Sequence, residues 1–195
     1  MDRWSGKLGD SVRIATEFDK EASLLQNFFV SRKYIPKTDE ERRELEEFSM
    51  ITSAMALMIH VAEADSKMDA TEKEEIIDDM VFQLEQRWDE YKKFAAEFGG
   101  NERKIINNIF DMLLDDYEKG RLDLDETIDI INMVFTNNPY SRFFLIRLCY
   151  YTAYADNKLA EGEKVTIDDL AERLNVDREE RERIKKEVKR ELKIR

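Results

Sequence analysis

The stretch Phe48–Ala62 (FSMITSAMALMIHVA) runs for fifteen residues without Asp, Glu, Lys or Arg. Dense charge flanks it, ERRELEE before and EADSKMDATEKEE after. Crossing a bilayer takes about 18 or more such residues, so no membrane span is expected and the segment reads as a helix inside a protein core. A helix that is apolar on nearly every side must be covered on every side. The chain is therefore expected to wrap other helices around Phe48–Ala62, and around a second segment of the same kind, Phe143–Ala155.

The rest of the chain supplies those helices. With six Gly and two Pro in 195 residues, it has too few turn residues for a many-stranded β fold. An N-terminal helix through Phe18, Leu24, Leu25, Phe28 and Phe29 is expected to stop before Pro36, because proline cannot continue a helix. Thr38 with Glu41, Asp69 with Glu72, Asp123 with Glu126 and Asp177 with Glu180 are spaced as helix-opening caps. The helix opened at Asp69 is expected to run through Trp88, Tyr91 and Phe94 to Gly99-Gly100, and Asn101 to open the next, ending at Gly120. Asn138-Pro139 combines a cap with a first-turn proline. The fold class is thus all-α: a single-domain helical bundle of seven to nine helices, with residues 1–35 as an N-terminal extension and helix and residues 36–195 as the bundle proper.

Charge narrows the function. The formal net charge is −12, which disfavours nucleic acid as a partner because phosphate contacts need clustered cations. The segment from Arg178 to Arg195 is net +4 and the remainder net −16. Within it Ile184, Val188 and Leu192 form one apolar stripe, read either as a terminal helix docked on the bundle or as a membrane-surface or partner-binding helix. Asp111, Asp115, Asp116, Glu118, Asp123, Asp125, Glu126 and Asp129 make an acidic face, either solvated or open to a basic protein partner. One cysteine, Cys149, excludes a disulfide framework and a thiolate zinc site; within an apolar helix it reads as a small buried hydrophobe. Tyr150, Tyr151 and Tyr154 read as core rings with hydroxyls at the rim. The opening residues MDRWSGKLGD lack a signal peptide's apolar core, so a soluble, cytoplasmic protein is expected.

An internal repeat organises the acidic residues. AEADSKMDATEK from Ala62 aligns with AYADNKLAEGEK from Ala153 at an offset of 91, identical at six of twelve positions. Each copy follows the most apolar helix of its half and precedes an acidic helix, which predicts a duplicated helix–turn–helix unit (residues 48–80 and 139–171) and a pseudo-two-fold. Ala62 and Ala64, like Ala153 and Ala155, allow close backbone approach, and Met68 and Leu159 are expected to plug the turns from below. Glu72 and Glu163 fall in or near the next helix's first turn, where the helix dipole favours a carboxylate.

The pattern A-x-A-D-x-K-[ML]-x-x-x-E, met twice, resembles the tellurite-resistance TerB-like family, from about Leu45 to Ile184. Ser66 and Asn157 stand where that family has glycine. The resemblance implies a non-enzymatic module of tellurite resistance and stress response; a related domain precedes the J domain in some membrane-anchored co-chaperones. No His-Pro-Asp triplet occurs here, so J-domain activity is not expected. The family's acidic motif residues, carried over by position, make Asp65, Glu72, Asp156 and Glu163 the candidate metal ligands.

The residues themselves leave two readings of these turns. An EF-hand loop needs glycine at its sixth position and glutamate at its twelfth; counted from Asp65 these are Ala70 and Ile76, and from Asp156 they are Glu161 and Ile167. Both loops fail. The two turns can instead pool their four carboxylates around a divalent cation, Ca²⁺ or Mg²⁺. Alternatively the turns are structural: each Asp bonds turn N–H groups, each Glu caps a helix, Lys67 and Lys158 neutralise them, and the protein is an interaction adaptor. A third reading is a helical metalloenzyme. His60 and Glu63 are an i, i+3 pair, yet di-iron bundles need two Glu-x-x-His motifs and His60 is the sole histidine; a hydrogen-bonded core histidine is the simpler expectation. No Gly-rich phosphate loop, Ser/His/Asp arrangement or zinc pattern occurs.

Overall fold

A computed structural model describes residues 38–65, 68, 73–74, 76–78, 80–82, 102–135, 138–156 and 158–194. Six helices are α1 (Asp39–Ala62), α2 (Glu102–Glu118), α3 (Leu124–Val134), α4 (Pro139–Ala153), α5 (Glu161–Arg173) and α6 (Arg178–Glu191). A seventh helical stretch is seen at 73–74, 76–78 and 80–82, and no strand occurs among the described residues. The helix expected through Phe18–Phe29, the Asp69–Glu72 cap, the Trp88–Phe94 continuation, the Asn101 cap and the turn residues Ser66, Lys67 and Asn157 lie outside them.

Local chemistry sets the helix boundaries. Asp123 Oδ1 accepts from the N–H groups of Asp125 and Glu126 at 2.7 and 3.3 Å. Asn138 Oδ1 accepts from Ser141 N ahead of Pro139, and Asp177 Oδ1 from Glu180 N at 2.8 Å. Each satisfies a donor that the first helical turn leaves without an intrahelical partner. At the other ends, Gly120 (φ 67), Asn175 (φ 55) and Lys193 (φ 57) adopt the left-handed conformation. Behind them Arg121 N donates to Asp116 O, Val176 N to Ala171 O and Ile194 N to Lys189 O, at 2.8 to 2.9 Å. These are Schellman closures, which recover carbonyls the last turn would leave open.

The core forms around α1. Residues 50–59 and 61 are all buried, and α1 packs against α2, α3, α4 and α5. In α4, every residue from Phe144 to Ala153 except Arg147 is buried, and α4 packs against α1, α5 and α6. The two apolar segments are therefore neighbours at the centre, as full burial requires. Their ends also correspond: α1 stops at Ala62 with a turn at 63–65, and α4 stops at Ala153 with a turn at 154–156, each 91 residues on.

The C-terminal helix is docked. Ile184 and Val188 are buried, with Leu192 at the edge. Arg147 of α4 reaches Glu187 at 2.9 Å and also pairs with Glu191, which accepts from the Tyr151 hydroxyl. The stripe is thus committed to the bundle, and the membrane-surface reading of its apolar residues is corrected. No described helix is long and apolar enough to cross a membrane.

The candidate site at the paired turns

The first turn leaves α1 through helical hydrogen bonds from Glu63 N to Ile59 O and Ala64 N to Val61 O. This brings Asp65 against the opening turn of α5, where residues 161–163 are Glu, Gly and Glu. Gly162 is what lets them meet. A Cβ there would penetrate Asp65 Oδ1, lie 3.0 Å from its Cγ and 3.2 Å from the Ala64 carbonyl oxygen. No other residue fits that spot without moving the turn. Sequence reasoning passed over Gly162, although a glycine just inside a helix start is a signal of close backbone approach.

The second turn ends at Asp156, whose Oδ1 accepts from Lys158 N at 2.8 Å. Glu163, in the first turn of α5, accepts through Oε2 from Ala160 N at 2.9 Å. Ala160 has no side-chain oxygen to return the bond, so only the glutamate half of a capping box is present. Asp156 and Glu163 face one narrow cleft of about 60 Å³, walled by Ala62, Ile76, Thr152 and Ala153. Met68 is buried and Leu159 packs on the core, both in the plug positions expected.

Of the four proposed ligands, the fold thus brings Asp156 and Glu163 to one cleft and sets Asp65 beside Glu163's chain neighbour. Glu72 lies outside the described residues. Among the described residues no three His, Cys, Asp or Glu side chains are grouped to hold a metal ion. Lys158 is exposed and forms no ion pair among the described residues; its backbone N–H meets Asp156.

His60 lies on the other side of the α5 start. It lines an open groove of about 470 Å³ with Leu124, Glu161, Gly162, Val165 and Thr166. Its ring meets Tyr117 edge-on, with centroids 5.1 Å apart. Burial lowers its pKa from 6.5 to about 4, against the attraction of Asp123, so the imidazole is neutral at neutral pH. Nε2 is buried without a hydrogen-bond partner, so the expectation of a hydrogen-bonded histidine is corrected at that nitrogen. Glu63, its proposed metal partner, instead accepts from Met68 N at 2.9 Å and so ties the start of the turn to its end. Cys149 is fully buried, with its thiol pushed up to about 12 by desolvation, the signature of a packing group.

Much of the acidic face is paired within the protein. Asp111 meets Lys73 at 2.5 Å, Asp115 meets Lys119 and Arg121, buried Asp116 meets Arg121 at 2.7 Å, and Asp125 pairs with Arg173. On the outer side of α3, Glu126 and Asp129 form no ion pair among the described residues.

Comparison with known proteins fits this geometry. The family model for tellurite resistance protein TerB matches residues 52–186. Neither a curated protein nor a solved structure matches the chain. The matched span takes in both turns, the C-terminal part of α1 from residue 52, all of α4 and most of α6, and the chain belongs to the TerB family.

Proposed function

We propose that this chain is a non-enzymatic, stress-response module of the tellurite-resistance type that binds a hard divalent cation, Ca²⁺ or Mg²⁺, through its paired acidic turns. The supporting observation is the seating of Asp65 on Gly162, next in the chain to Glu163, whose cleft also receives Asp156. Two turns 91 residues apart in sequence thereby present carboxylates to one helix start. The donor set fits the ion: all candidate ligands are oxygens, which suit Ca²⁺ and Mg²⁺ better than softer metals. Asp156 and Glu163 each commit one carboxylate oxygen to a backbone N–H. A bound cation would cross-link the two turns, and Asp65, Asp156 and Glu163, with Glu72, would hold it.

Thermal melting in Ca²⁺, Mg²⁺ or Na⁺ at matched ionic strength tests this reading. A ligand at about 100 times its Kd stabilises the folded state by about 2.7 kcal/mol, so Tm should rise with the divalent ions. An unchanged Tm at millimolar divalent ion would overturn it. The second reading, an interaction adaptor with structural turns, draws on those same two backbone bonds. It predicts that Asp156→Asn lowers Tm equally with and without divalent ions.

A further inference from the structure

The α6 helix sorts its charge by side. Glu187 is drawn inward by Arg147 and Glu191 by Arg147 and Tyr151, while Glu180 and Glu187 are held by Arg183. Lys186 and Arg190 are exposed on the outer side of α6, half-buried Lys185 and Lys189 lie beside them, and Lys193 is exposed just past the helix end. None of these five cations forms an ion pair among the described residues. The apolar stripe is buried beneath them, so this surface offers charge and lysine stems with Leu192 at one edge, and nothing to insert into a lipid core.

The opposite surface is on α3. Its outer side presents Glu126, Asp129 and Met133 at helical spacing, beside Asp125, which Arg173 holds, while Thr127, Ile128, Ile130 and Ile131 face inward. Met133 is 63% exposed. The signs of the two surfaces are opposite, and each has an apolar residue at one end, Leu192 and Met133.

We propose that the basic outer side of α6 docks on the acidic outer side of α3 in a second copy of this chain. The net charge of −12 repels a second copy as it repels an anionic membrane or nucleic acid, but with its apolar stripe buried α6 has nothing to insert into lipid, whereas a second copy brings an acidic helix of opposite sign. At physiological salt the Debye length is about 8 Å, so the facing helices attract while the two acidic bodies are screened. Because the surfaces differ, the contact is head-to-tail and propagates unless the rotation closes a ring. An interface led by exposed charge is transient and sensitive to salt.

Sedimentation velocity of the full chain tests this. The weight-average mass should climb above the 23.2 kDa monomer with protein concentration at about 0.15 M salt, and fall back in about 1 M salt, where the Debye length is about 3 Å. The variants Lys185→Glu/Lys189→Glu/Lys193→Glu and Glu126→Lys/Asp129→Lys should each self-associate about tenfold more weakly or less. The second variant lowers the net negative charge, so bulk repulsion alone predicts that it associates more. Mixing the two variants should restore a complex, because the acidic α6 of one meets the basic α3 of the other, and the unchanged α3 of the first meets the unchanged α6 of the second. Circular dichroism checks that each variant folds; if one does not, the Lys→Gln triple replaces it and should likewise weaken association. A wild-type chain that stays monomeric at about 0.15 M salt overturns the proposal, as does a mixture that stays monomeric. Capture by phosphatidylglycerol vesicles without self-association also overturns it.

Discussion

Replacing Gly162 by alanine sets two effects of similar size against each other. Removing a glycine from a helix interior gains up to about 1 kcal/mol, and less in the first turn. Against this, the added Cβ would penetrate Asp65 Oδ1 and lie 3.0 Å from Cγ and 3.2 Å from the Ala64 carbonyl oxygen. Overpacking of this kind costs about 1–3 kcal/mol; the carboxylate can rotate away, but the Ala64 backbone is harder to move. The expected net result is a loss of about 1 kcal/mol, which lowers Tm by about 2–4 °C in a domain of this size. A double-mutant cycle with Asp65→Ala isolates the cause. In that background the carboxylate is gone and only the 3.2 Å approach to the Ala64 carbonyl oxygen remains, so Gly162→Ala should cost less than in the wild type, with a coupling energy of about 0.5–1 kcal/mol. Urea or thermal unfolding of the four proteins reads it directly. If Gly162→Ala stabilises both backgrounds equally, Asp65 does not rest on α5 and the geometry of the turns is wrong.

Three further outcomes follow from other parts of the fold. His60 titrates near 4 in the folded state against 6.5 in the open chain, so the unfolded chain binds the proton first as pH falls. Stability held above pH 6.5 is therefore lost between 6.5 and about 4, by about 3 kcal/mol; His60→Gln should flatten that part of the profile, and the NMR titration of the single histidine should have its midpoint near 4. Burial acts to raise the Glu191 carboxyl, but hydrogen bonds from Tyr151 and Arg147 overcome it and hold the group below its usual 4.5; α6 docking should weaken only as pH falls through that depressed value, and Arg147→Met should cost about 1–3 kcal/mol in urea unfolding. Gly120→Ala meets open space yet sits at φ +67, so it should lose about 1 kcal/mol, while Gly120→Asn should lose less.

The parts of the fold legible in the sequence were those set by neighbouring residues. The caps at Asp123, Asn138 and Asp177 were readable because capping is a contact over two or three residues. The central place of α1 and α4 followed from their being apolar all round. Gly120 ended its helix as expected, but Asn175 and Lys193 did so without the usual glycine, because Schellman bonds and the burial of Val176 outweigh the local penalty. The site was less legible. Repetition singled out Asp65, Asp156 and Glu163, but that Asp65 leans on Gly162 while Asp156 shares a cleft with Glu163 is a tertiary fact. Pairings across 38 to 48 residues, such as Lys73 with Asp111 and Arg173 with Asp125, turned much of the acidic face from a candidate docking surface into internal salt bridges. No spacing rule predicts those.

The central claim is that the two turns act as one site, and calorimetric titration of the chain with Ca²⁺ and Mg²⁺ tests it most directly. One cation per chain is predicted, with Asp65→Asn and Asp156→Asn each weakening binding and the double variant abolishing the heat. Absence of heat in the wild type, two independent sites, or full affinity in the double variant would contradict it.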